Sequence, residues 1–180
     1  MLVRVFTEAR SRTTMSPNQA PKPSSAIPPE TRARIAQLAE ALLKRYDVRE
    51  PPVPVDRMLQ QPINRLWEPH PSQISFIMGH GIYRYAPRLA EARLLYRILS
   101  DSPEARTAGF DAPWPASRRE IKLFARCLLM PEGWIRNLAK ADRTPDAISE
   151  RFQVTSYDAI VRLAELGLPI PADAVIRPED

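Results

Sequence analysis

Residues 92–99 read Ala-Arg-Leu-Leu-Tyr-Arg-Ile-Leu, the middle of a run from Pro87 to Ser100 whose apolar positions recur at helical spacing. At about 100° per residue, Ala92, Leu95, Ile98 and Leu99 share one arc, and Arg93 and Arg97 fall nearly opposite it. The spacing predicts a helix with one face in a core and two arginines, one turn apart, on its wet back.

Upstream, a helix opens at Pro28-Pro29-Glu30, where Ile35, Leu38, Leu42 and Tyr46 form an apolar stripe, and it ends at Asp47-Val48 before Pro51-Pro52. A short helix from Asp56 to Gln60 follows, with Asp56 as its expected cap. Three runs of β type come next, Ile63 to Trp67, Ile74 to Met78 and Ile82 to Tyr85, the last two separated by Gly79-His80-Gly81 as in a hairpin turn. Downstream, a loop with Gly109, Pro113 and Pro115 leads to Ser117-Arg118-Arg119-Glu120, which has the spacing of a capping box. Ile121, Phe124, Ala125 and Leu128 then make a buried stripe that Pro131 stops. Further helices are expected from Glu132 to about Lys140, from Pro145 to Phe152 behind Thr144, and from Ser156 to Leu166, ended by Gly167 and Pro169. The expected fold is α+β: mainly helical with a small three-stranded sheet, followed by a C-terminal helical pair over 145–168.

With 180 residues, 44% of them hydrophobic and 26% charged, the chain is the size and composition of one globular domain. Nine of its 20 prolines lie within the first 62 residues, around a stretch from Arg10 to Ser25 with few large apolar side chains. Such a composition cannot bury enough surface to offset chain entropy, so 1–28 is read as a disordered, Pro/Ser-rich basic tail and 29–180 as the single domain. Arg4, Arg10, Arg12 and Lys22 against Glu8 give the tail +3 of the net +5, which leaves the rest of the chain near neutral. Met15 is an alternative start to Met1. A single cysteine, Cys127 in an apolar run, excludes a disulfide framework and reads as core filler. Neither a signal-peptide apolar run nor 18 consecutive apolar residues is present, so a cytoplasmic protein that does not span a membrane is expected.

A helix, a three-stranded sheet, a second helix, then Phe124-Ala125 through Leu128-Leu129-Met130-Pro131 and the segment Phe152 to Leu168 are together similar to the ImmA/IrrE family of zinc-dependent endopeptidases. The resemblance runs from about Arg34 to Leu168 and implies a degenerate zincin-like core. In that family the helix after the sheet carries A-H-E-L-G-H, two zinc-binding histidines and a glutamate base. Here Ala92 and Leu95 keep the structural positions. Arg93 and Arg97 replace the histidines, Leu94 the glutamate and Tyr96 the glycine. An acidic third ligand, six positions before the Phe-Ala pair, falls on Arg118. Arginine has no lone pair for a metal and leucine accepts no proton, so the resemblance implies a pseudoenzyme with no zinc and no other cofactor.

Other chemistry finds little support. His70 and His80 could join Cys127 on a metal but read as exposed loop residues, and the five glycines form no phosphate loop. If the family geometry holds, Arg93, Arg97 and Arg118 converge on one cleft as an anion site. Two like charges about 5 Å apart at a dielectric of about 20 repel by roughly 3 kcal/mol, so such a cluster needs an anionic partner or splays into water. The plainer expectation is the latter, with Asp101 one turn beyond Arg97 as an exposed partner. The function expected is a regulatory or protein-interaction module whose partner, by the resemblance, is a helix-turn-helix repressor. The alternative is a DNA-binding module using residues 145–166 as a helix-turn-helix, with the basic tail. The wet face expected there, Ser156, Tyr157, Asp158, Arg162 and Glu165, carries one cation against two anions, so nucleic acid is not an expected partner.

Overall fold

The computed structural model describes residues 27–68, 86–110, 112 and 115–171. These residues form eight α-helices, two short 3-10 turns and no β-strand. We number the helices α1 (Pro29–Arg45), α2 (Val55–Gln60), α3 (Ala86–Asp101), α4 (Pro103–Thr107), α5 (Arg118–Leu129), α6 (Glu132–Arg136), α7 (Pro145–Phe152) and α8 (Ser156–Glu165).

At the centre lies α5, flanked by α1 and α3, with α2 packed on α3 and α7 packed on α8; α8 is tied to the end of α5 by hydrogen bonds of Arg126 to Glu165 and of Arg162 to Met130 O. From Ile121 to Leu129 every residue of α5 except Lys122 is buried. Ile121, Leu123, Phe124, Leu128 and Leu129 are each worth roughly 1.5–3 kcal/mol on burial. The start of α5 is fixed by the expected capping box: Ser117 Oγ accepts from Glu120 N at 3.2 Å while Glu120 Oε2 accepts from Ser117 N at 2.7 Å. Thr144 caps α7 as expected, and Thr155 caps α8. Gly167, at φ 63, closes α8: its N–H donates to Ala164 O and the N–H of Leu168 to Leu163 O.

The three-stranded sheet, and with it the α+β class, is corrected. Ile63–Arg65 is a 3-10 turn in which Asn64 (φ 52) and Arg65 (φ 56) take left-handed backbone and turn the chain. Ile63, Leu66 and Trp67 stand at i, i+3 and i+4, a helical spacing rather than strand alternation, and Leu66 and Trp67 are both buried. Trp67 Nε1 donates back to Leu59 O at 3.4 Å. The runs Ile74 to Met78 and Ile82 to Tyr85 lie outside the described residues. So does the tail expected over 1–28, apart from Ile27 and Pro28. Smaller corrections concern α2, whose cap is Pro54 rather than Asp56, and the helix after Pro131, which ends at Arg136. In the stretch read as loop, Ser102 caps the short α4 by accepting from Ala105 N at 3.1 Å.

Tyr46 joins α1 to the C-terminal carbonyls of α2, its hydroxyl lying 2.9 Å from Gln61 O and 3.1 Å from Met58 O. Burial pushes its phenol from 10.0 up to about 12, a backbone hydrogen bond at Ile63 opposing the rise. A group whose folded pKa is raised supplies stability that is whole below the unfolded value and lost as the pH climbs through the folded one. Stability is therefore expected to fall between pH 10.0 and about 12 more steeply in the wild type than in Tyr46→Phe. Near neutral pH that variant is expected to lose about 1 kcal/mol. Urea unfolding of both proteins across the alkaline range checks this, and parallel profiles would contradict it.

Candidate functional site

The two arginines expected together on the back of α3 are together, in unlike settings. Arg97 is exposed, but Arg93 is half-buried and its Nε is buried with no hydrogen-bond partner. This corrects the wet-back expectation for Arg93, which is near enough to Asp158 of α8 to sense its charge. Burial pushes the Arg93 guanidinium below its ordinary value; Asp158 opposes the fall, and Arg126 and Arg97 add to it. Leu94, next to Arg93, is partly buried against the core.

Arg118 opens α5 and is exposed. The rings of Tyr96 and Phe124 lie 4.7 Å apart and Arg93 senses Arg126, so α3 and α5 run antiparallel with Arg93 at the level of Arg126. Arg118 is eight residues earlier on α5, about 12 Å along its axis. The three arginines therefore do not meet at one point.

What sequence reasoning missed is a buried charge network at the junction of α3, α5 and α8. Arg126 Nε donates to both Glu165 carboxylate oxygens at 3.1 and 3.2 Å, and its Nη2 to Oε1 at 2.5 Å. Arg162 donates through Nε to Met130 O at 3.0 Å and places Nη1 3.5 Å from Glu165 Oε2. Asp158, 5% exposed, accepts from Thr155 Oγ1 at 2.7 Å and faces Arg93 electrostatically. Arg126 and Arg162 thus share the Glu165 carboxylate, with Asp158 and Arg93 beside them. The signal was a lone arginine inside the apolar run Phe124 to Pro131, since a charge at such a position has to be paired.

Asp158 and Arg162 are turned inward, which corrects the wet face expected for α8: its outward residues are Ser156, Tyr157 and Ala164, without a cation among them. The turn between α7 and α8 places Gln153 in left-handed backbone at φ 54, and Arg88 Nη1 donates to its side chain at 3.2 Å while Nη2 donates to Val53 O. The helical pair is thereby fastened to the start of α3.

Cys127 is buried, and burial pushes its thiol pKa up, the setting of a structural rather than a nucleophilic cysteine. Among the described residues, no three of His, Cys, Asp and Glu group to hold a metal ion, and no helix is long and apolar enough to cross a membrane. His70 and His80 lie outside the described residues. An open cleft of about 360 Å³, lined by none of Arg93, Arg97 and Arg118, lies between Arg45, Asn64, Leu66 and Glu104. No protein-family model, curated protein or solved structure matches this chain.

Proposed function

We propose that this protein works by binding rather than by hydrolysis, as a catalytically inactive relative of the ImmA/IrrE endopeptidases that regulates or holds a partner protein. One observation carries the reading. At the positions where the resemblance puts two zinc histidines, Arg93 and Arg97 stand one turn apart, and Arg93 is half-buried, with Asp158 favouring its charged form. A guanidinium offers no lone pair to a cation, and the neighbouring positive charge of Arg126 opposes a divalent ion there as well. Leu94 beside them cannot take a proton from water. The likeness to the family rests on the strings around Phe124 and Phe152, and the partner class, a helix-turn-helix repressor, is what that likeness implies.

The DNA-binding alternative draws less support, because α8 presents no cation outward and α7 exposes Asp146 and Glu150 against a single cation, Arg151. Duplex binding needs phosphate neutralisation that such a face does not supply.

The test is an incubation of the purified protein with a helix-turn-helix repressor and with casein, in added zinc, with and without chelator. Both substrates are expected to stay intact, with a complex formed with the repressor in sedimentation. Cleavage that a chelator abolishes would overturn the proposal.

A further inference from the structure

Arg118, Lys122 and Arg126 stand at i, i+4 and i+8 on α5, a row along one side of a helix that is otherwise buried from Ile121 onward. One end of the row shows what it accepts. Arg126 is covered by α8 and holds the Glu165 carboxylate through both oxygens. The other end is open: Lys122 and Arg118 are exposed, and the antiparallel register brings Arg97 of α3 to the level of Lys122. Among the described residues none of these three cations forms an ion pair. Glu120, the acid on the same turn of α5, is taken up by the capping box, and Asp101, one turn beyond Arg97, makes no ion pair with it.

We propose that Arg97, Arg118 and Lys122 form the docking strip for an acidic segment of a partner protein, which continues along α5 the carboxylate contacts that Glu165 begins. This rests on the reading that the protein acts by binding, and names the chemistry of what it binds. The spacing suits it. Cations four residues apart on a helix are about 6 Å apart along its axis, which matches carboxylates at i and i+4 of a partner helix. Magnitude decides against a nucleic acid. Tight duplex binding draws on roughly 6–10 phosphate contacts, and a strip of three cations falls well short of that. Guanidinium forks in turn favour planar carboxylates, as Arg126 already demonstrates.

Fluorescence anisotropy with a labelled peptide of glutamates at i, i+4 spacing, and separately with a labelled duplex DNA, tests the proposal on the full-length protein. The peptide is expected to bind at low salt and to weaken as salt rises. The double variant Arg118→Glu and Lys122→Glu is expected to lose roughly tenfold or more in affinity, about 1.4 kcal/mol, with an unchanged melting temperature because both side chains are exposed. Arg118→Lys is expected to keep most of the binding. An unchanged affinity in the double variant, no peptide binding at low salt, or duplex bound more tightly than peptide would each overturn it. Any of those results leaves the proteolysis experiment untouched, so the two ideas fail separately.

Discussion

Replacing Glu165 with alanine is expected to lower the unfolding free energy by about 3 kcal/mol, because it strands Arg126 in a site where its side chain is only 10% exposed. Arg126 loses all three of its contacts to the carboxylate, and Arg162 keeps only Met130 O. The figure is taken at the low end of the range for buried pairs, since Glu165 retains 17% exposure and water can reach the gap. The double replacement Arg126→Met with Glu165→Leu is expected to recover most of the loss, because it removes both charges and refills the space with apolar atoms. Urea denaturation of the wild type, the single and the double variant separates these cases. A single-variant loss under about 0.5 kcal/mol would mean that the pair behaves as a solvated surface bridge.

Phe124→Ala is expected to cost about 3–5 kcal/mol, the largest effect of any single truncation considered. Phe124 is 0% exposed in the centre of α5, and its ring meets Tyr96 of α3 at 4.7 Å and 46°. Truncation leaves a cavity between α3 and α5 at the contact that sets their register, and flanking leucines can refill it only in part. Tyr96→Phe supplies the contrast. The Tyr96 hydroxyl is buried without a hydrogen bond of good geometry; Ser100, near enough to hold its pKa down a little, donates its Oγ–H to the Tyr96 carbonyl at 2.7 Å. Removing an unsatisfied buried hydroxyl is expected to be neutral or stabilising. Thermal and urea unfolding of both variants check the pair, and a costly Tyr96→Phe would show that the hydroxyl is satisfied in solution.

The helices were legible where one strong signal fixed each: the apolar stripe of α1, the capping box of α5, Thr144 before α7, and Gly167 after α8. The sheet failed for a physical reason. Ile63, Leu66 and Trp67 are apolar enough for a strand, but their spacing suits a turn, and Asn64 tolerates the left-handed backbone that the turn needs. The short α4 carried a readable start in Ser102-Pro103, a capping residue followed by a helix-opening proline, which the downstream glycine and prolines overshadowed. At the site, the pairing of Arg93 with Arg97 followed from periodicity alone. The half-burial of Arg93 did not, because local sequence cannot say which distant element comes near that side of α3. For the same reason Asp158 and Arg162, four residues apart and both charged, read as a wet face when they are in fact the inner one.

In the proposed reading, the guanidinium groups of Arg93 and Arg97 stand where the resemblance to the peptidases puts zinc ligands. Elemental analysis of tag-free protein, dialysed against zinc and then against buffer, tests it most directly. Zinc well below one ion per chain is the expected result. One tightly held ion per chain that is lost on Arg93→Ala or Arg97→Ala would contradict it.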